Sequence, residues 1–183
     1  MTDASRQRLL DLFKARAFRF GSFTLASGKQ STYYVDSKKA LFHSEAVSLL
    51  AEALYDRTHD LDLQAVGGLE VGAIPLAAAL VMYYHGHGRA MEGFFVRKQP
   101  KGHGSQERIE GVLPPGARVA VLDDVLTTGG SALQAVQEVE RVGAHVVAVL
   151  CIVDRLEGAR EVFARYTYRP IFTIRDFGVE PPA

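Results

Sequence analysis

Leu9, Leu12, Phe13 and Arg16 stand at helical spacing, so the pattern predicts an amphipathic helix over 2–15, with Thr2 or Asp3 as its cap. In Phe18-Arg-Phe-Gly-Ser-Phe-Thr-Leu the aromatics alternate and Gly21 interrupts them, which predicts a hairpin. Ser27 to Ser31 reads as a polar turn and Tyr33 to Asp36 as a further strand. Ala46, Leu49, Leu50, Ala53 and Leu54 return to the helical period from about Ser44. Beyond this point short apolar runs alternate with helical stretches. Strands are expected at Leu63–Gly67, Glu92–Arg97, Arg118–Leu122, His145–Val153 and Pro170–Ile174. Helices are expected at Ala73–Tyr84, where Pro75 is tolerated in the first turn, at Ser131–Val142 and at Glu157–Tyr166. Gln99 to Glu110 is polar, charged and glycine-rich, with little to bury. The alternation predicts an α/β fold, a parallel sheet covered on both faces. In such folds ligands sit beyond the carboxyl ends of the strands, so the chemistry is sought there.

The chain's 183 residues fit one domain, 1–183, with a single core. Lys and Arg number 21 and Asp and Glu 21, a formal net charge of zero, which counts against holding a long nucleic acid. The single cysteine, Cys151, lies in the apolar run Val146–Val153 and has no partner for an internal disulfide, so it reads as a small buried hydrophobe in a reducing compartment. The start of the chain lacks the basic and apolar regions of a secretory signal. The most apolar stretch, Val71–Tyr84, is too short to span a bilayer. A cytoplasmic protein with no membrane or nucleic-acid partner is expected.

Arg118-Val-Ala-Val-Leu-Asp-Asp-Val-Leu-Thr-Thr-Gly-Gly-Ser131 carries the sharpest chemistry: an apolar strand ends in two acids, a loop of threonines and glycines follows, and a helix begins. Glycines let backbone N–H groups converge on a phosphate, and the helix start adds its positive end. Hydroxyls of Thr127, Thr128 and Ser131 are further donors. Asp123 and Asp124 beside such a cradle suit ribose hydroxyls or a Mg²⁺-bound sugar. A plain turn with a helix cap uses the same residue types. No lysine follows the glycines, and the dinucleotide fingerprint is missing, so this is neither a Walker loop nor a Rossmann site.

Val119 to Ser131 resembles the phosphoribosyl-pyrophosphate (PRPP) loop of the type I phosphoribosyltransferases, in which the acids contact ribose and the following loop binds the 5′-phosphate. The resemblance implies that family's α/β fold: a central mostly parallel sheet flanked by helices, a small N-terminal hood over about 1–40, a PRPP-binding core over about 41–183 and a flexible catalytic loop. Phe94 to Ser105, with Arg97, Lys98, Lys101 and His103 and the flexible Gly102 and Gly104, resembles the catalytic loop of the orotate phosphoribosyltransferases. Clustered cations there would stabilise departing pyrophosphate, and closure would exclude water. A solvated charged surface loop is the plainer alternative. In the family this loop acts across a dimer interface, which implies a homodimer. Phe23 to Asp36 resembles the base-binding region, with Lys29 and Tyr34 as candidates and Tyr34 able to stack on a pyrimidine. Arg155, at the end of another strand, matches the arginine that reads the orotate carboxylate; a plain ion pair with Asp154 or Glu157 is its alternative. Thr127 also touches the base in the family, and Gly67 to Ala73 matches its pyrophosphate loop. Some members carry lysine where this chain has Ala26 and Val71, so those two roles are not carried over.

The expectation is transfer of the phosphoribosyl group of PRPP to orotate, with Mg²⁺ held mainly through PRPP and no assigned protein ligand. Asp123, Asp124, Lys101 and His103 are the catalytic candidates. The PRPP-binding set adds Arg97, Lys98, Val125, Leu126, Thr127, Thr128, Gly129, Gly130 and Ser131. A purine phosphoribosyltransferase would share the phosphate loop without needing Arg155, and a PRPP-sensing regulator that binds RNA or DNA is a rival of another class.

Overall fold

The structure, a computed structural model, describes residues 1–24, 30–100 and 107–181. Helix α1 (Asp3–Arg16) begins where Thr2 accepts the N–H of Ser5 and buries Leu9, Leu10, Leu12 and Phe13. Strands β1 (Phe18–Thr24) and β2 (Gln30–Val35) form a separate antiparallel pair. Gly21 does not turn the chain as expected. It sits inside β1, where the register shifts between Phe20 and Phe23. The glycine therefore accommodates an irregularity in one strand, and the polar turn expected from Ser27 falls mostly outside the described residues.

The one-turn helix α2 (Lys38–Leu41) leads into α3 (Ser44–Asp56). Strand β3 (Ala65–Gly67) is wholly buried and precedes α4 (Ala73–Gly86). Next come β4 (Glu92–Val96), β5 (Ile109–Gly111), β6 (Arg118–Leu126) and α5 (Gly130–Arg141). Strand β7 (His145–Asp154), the single turn α6 (Ala159–Val162), β8 (Thr167–Tyr168), β9 (Phe172–Thr173) and a 3-10 turn (Ile174–Phe177) complete the order.

The main sheet runs β5-β4-β3-β6-β7-β8, with β9 also pairing β7. Every pairing is parallel except β4 with β5. Two buried clusters flank the sheet. One gathers α1, α3 and α4 against Leu122, Leu150 and Ile152; the other gathers α5 against Val119, Val121 and Val149. Adjacent strand residues thus face opposite helical layers, the arrangement that apolar runs without alternation require.

The last third differs most from expectation. A helix over 157–166 is reduced to one turn, because Gly158 enters at φ +109° and only Ala159 and Phe163 bury fully along it. Thr167 and Tyr168 instead extend alongside Ala148 and Val149. The first and last segments also meet: Phe18 stacks on Phe177 at 4.0 Å, and Arg6 pairs with Asp176 at 2.8 Å.

Candidate active site

Strand β6 runs four residues further than its apolar pattern, because the longer β7 continues the ladder through Asp123↔Cys151 and Leu126↔Asp154. This places both acids on a rigid strand end. Asp123 is 6% exposed. Its Oδ1 accepts the N–H of Asp124 at 2.9 Å, and its Oδ2 accepts the Ser131 hydroxyl at 2.6 Å. Burial, and then the neighbouring charge of Asp124, push the Asp123 carboxyl up to about 7. The Asp124 carboxylate accepts the N–H of Val125 at 3.0 Å and, on its other oxygen, the hydroxyl of buried Ser37.

Between Leu126 and α5 lies the cradle. Thr128, Gly130 and Ser131 are exposed and Thr127 is half-buried. Gly129 adopts φ +86°, and a side chain there would meet Phe163 at 2.8 Å, so only glycine makes this turn without strain. Helix α5 starts with no side-chain cap, leaving its first N–H groups for a ligand. Leu126 ends the strand, with its side chain wholly buried and its carbonyl accepting the Arg155 N–H.

A cavity of about 430 Å³ opens beside the acids, lined by Asp123, Asp124, Val125 and Ser131 on one side of the sequence and Leu69 to Gly72 on the other, with Lys38 and Lys98. Gly72 lets the two walls close up, since a Cβ there would lie 2.5 Å from Asp124 Oδ1. The Glu70–Val71 peptide is cis. Glu70 accepts the Lys98 N–H at 2.8 Å, and Arg108 donates to the carbonyls of Arg97 and Lys98, so the stem of the cationic segment is held at both ends. Arg97 lies 3.6 Å from Glu110. Lys29, Lys101 and His103, with Ala26, lie outside the described residues.

Arg155 follows β7 and is 8% exposed. Its guanidinium lies 4.6 Å above the ring of Tyr33, and its Nε is 2.8 Å from a Glu157 carboxylate oxygen. Leu156 takes the left-handed conformation, φ +59°, with its N–H donated to Asp154 at 2.8 Å, and this sharp turn brings Glu157 back to Arg155. Strand alternation turns the two tyrosines apart: Tyr33 is buried toward Arg155, whereas Tyr34 is 44% exposed with its ring 5.8 Å from Phe23. The tyrosine that the structure brings to Arg155 is thus Tyr33. Sequence alone missed Ser37, Lys38 and Tyr33 as parts of the site. Ser37 and Lys38 sit in a short polar stretch after a strand, and nothing local marks them as reaching a strand end 87 residues away.

Residues 44–181 match the family model described as a phosphoribosyl transferase domain. The orotate phosphoribosyltransferase of Rhodopirellula baltica is 41% identical over 94% of each chain. That of Bradyrhizobium diazoefficiens is 44% identical over 95% of this chain and 96% of its own. The chain belongs to the orotate phosphoribosyltransferases. Among solved members, Mycobacterium tuberculosis H37Rv orotate phosphoribosyltransferase in complex with Fe(III) dicitrate has a TM-score of 0.85 at 40% identity, covering 96% of this chain and 99% of that one. Its complex with PRPP gives 0.81 at 37% identity with the same coverage. This membership accounts for the type I fold and for a strand-end cavity that joins carboxylates to a helix start.

Proposed function

We propose that this chain transfers the 5-phosphoribosyl group of PRPP to orotate, giving orotidine 5′-monophosphate and pyrophosphate. The observation that carries the reading is the shared position of three groups at neighbouring strand ends: the Asp123–Asp124 pair, the uncapped start of α5 and the guanidinium of Arg155. The N–H groups and hydroxyls of 127–131 would hold the 5′-phosphate. The internal donors to Asp123 and Asp124 leave accepting capacity on both side chains, so the pair can still accept ribose hydroxyls. Arg155, steadied by the Tyr33 ring, presents paired donors to a planar carboxylate. The attacking nitrogen belongs to the base and pyrophosphate leaves the sugar carbon, so no protein nucleophile is needed. Orientation and charge stabilisation supply the catalysis.

The acids fit Mg²⁺ in a supporting role. Among the described residues no three His, Cys, Asp or Glu side chains gather as a metal cage. One or two carboxylates plus substrate phosphates are the usual setting for this ion, which when bound neutralises charge on the departing pyrophosphate. Arg97, Lys98, Lys101 and His103 complete the proposed pyrophosphate set, and Lys29 joins Arg155 at the base.

We read the chain as one domain, with a hood over 1–40 and a core over 41–183, working in the cytoplasm as a homodimer. No helix of the described residues is long and apolar enough to cross a membrane. Helix α4 is free of charged residues from Ala73 to Tyr84, yet Ala78 and Met82 face outward and Met82 is 67% exposed. A helix apolar all round belongs in an interior, and a second copy would provide one. The deciding experiment follows absorbance with PRPP and Mg²⁺ against orotate, adenine, hypoxanthine and uracil in parallel. Consumption of orotate alone supports the reading; consumption of a purine alone keeps the phosphate site and refutes the base assignment.

A further inference from the structure

The wall of the cavity beside the acids includes a lysine whose backbone is anchored from two directions. Ser37 is 1% exposed and its hydroxyl is donated to Asp124. Its carbonyl accepts the N–H groups of Ala40 and Leu41, both at 2.9 Å. Ala40 and Leu41 are in turn buried in the core. The turn that begins α2 is therefore fastened to the acid pair and to the core together, and Lys38 stands between these anchors on the cavity wall.

The charge in that wall needs Lys38. Glu70, Asp123 and Asp124 contribute three carboxylates, and the only ammonium groups among the described lining residues are those of Lys38 and Lys98. A polyanionic ligand entering here meets three acids against two ammonium groups, so the loss of either lysine halves the favourable charge of the wall. Lys38 is poised to turn to such a ligand. Its ammonium lies 3.9 Å from one Asp36 oxygen, at the edge of ion-pair range and 56% exposed, a tether that is worth little in water. Lys39 offers a control, since it reaches the other Asp36 oxygen at the same 3.9 Å and has no place in the cavity lining.

We propose that Lys38 binds the pyrophosphate arm of PRPP and is positioned for this by the Ser37–Asp124 hydrogen bond. The assignment to that arm rests on the function proposed above, which gives 127–131 to the 5′-phosphate. Lys38 shares its cavity with Glu70, Val71, Gly72 and Lys98, on the side where pyrophosphate would depart. An ammonium suits this task as a compact charge with three donors that can follow the leaving group.

The test titrates inorganic pyrophosphate, PRPP and ribose 5-phosphate into wild type, Lys38→Ala, Lys38→Arg and Lys39→Ala at constant Mg²⁺, with orotate KM measured alongside. Lys38→Ala should weaken pyrophosphate and PRPP about tenfold or more, leave ribose 5-phosphate and orotate within about twofold, and be partly rescued by arginine. Lys39→Ala should match wild type. Equal effects of the two alanine variants, or equal loss of ribose 5-phosphate and pyrophosphate, would overturn the proposal. Wild-type protein that binds PRPP but uses another base refutes only the orotate reading; wild-type protein that binds neither PRPP nor pyrophosphate overturns both.

Discussion

Gly72→Ala isolates the demand that the acid pair makes on its surroundings. Gly72 has φ −62° and ψ −37°, a conformation that alanine adopts freely. By itself the change should stabilise the fold by about 0.4–1 kcal/mol, since it reduces the freedom of the unfolded chain. The new Cβ would lie 2.5 Å from Asp124 Oδ1 and 2.6 Å from its Cγ. Ordinary contact begins near 3.4 Å, so the carboxylate must retreat by roughly 0.9 Å. Asp124 is held at both oxygens, by the Val125 N–H at 3.0 Å and by the Ser37 hydroxyl, and a retreat of that size breaks one or both bonds. Each hydrogen bond to a charged group is worth about 1.5–3 kcal/mol, so a net loss of about 2 kcal/mol falls on the groove proposed to hold ribose. PRPP affinity should drop about thirtyfold. Isothermal titration with PRPP and Mg²⁺ measures this directly, and thermal unfolding reports the fold in the same samples. The double variant Gly72→Ala, Asp124→Ala should show no added loss over Asp124→Ala, because the obstacle is gone. Wild-type PRPP affinity in Gly72→Ala, or full additivity in the double variant, would refute the claim that Asp124 must stand where it does.

Asp123→Asn tests the buried acid. A carboxyl raised to about 7 keeps its proton in the folded state and loses it in the unfolded state between its ordinary value and 7, so wild-type stability declines as pH rises through that window. The asparagine variant should lack this decline and exceed wild-type Tm at pH 8 by about 3 °C or more, while losing PRPP binding; parallel Tm profiles from pH 4 to 8 would refute the assignment. Arg155→Ala should lower kcat/KM for orotate roughly a hundredfold and leave the KM for PRPP within about twofold, and equal loss of both would make the arginine a structural partner of Glu157. Met82→Glu should turn a dimer into a monomer by sedimentation and reduce turnover with it, and a persistent dimer would place the interface elsewhere.

The elements most legible in the sequence were those whose whole length is apolar or strictly periodic. Strands β3, β4 and β7 and helices α1, α4 and α5 fall within a residue or two of their expected limits, and α3 starts at the expected Ser44, since burial decides them. The apolar pattern of β6 ends at Leu122 because two acids follow it, although the strand continues to Leu126. A carboxylate ends an apolar pattern but not a ladder, and here the neighbouring strand decides where pairing stops. Glycine misled at Gly21, where the same flexibility serves a turn or an irregular strand. The phosphate cradle was legible because it is local, with every part inside fourteen consecutive residues of one strand, loop and helix start. Ser37, Lys38, Gly72 and Tyr33 were not identified as partners of particular groups, because their meaning depends on contacts made at long range.

The acid pair itself separates the proposed binding site from a well-made turn. If Asp123 served only to receive the Asp124 N–H and the Ser131 hydroxyl, the carbonyl oxygen of an asparagine would accept hydrogen bonds without a buried charge. An acid at 6% exposure beside a second acid raises the free energy of the ionised fold, because burial and the neighbouring charge both push its carboxyl upward. The surrounding donors limit the cost without removing it: two backbone N–H groups and Ser131 belong to β6 and α5, and Ser37 comes from the other side of the cavity. These donors fix the acids before any ligand arrives, so the sugar of the proposed reaction would meet acceptors already oriented. An arrangement that is unfavourable for folding and ready-made for hydroxyl groups fits the proposed substrate better than it fits the turn.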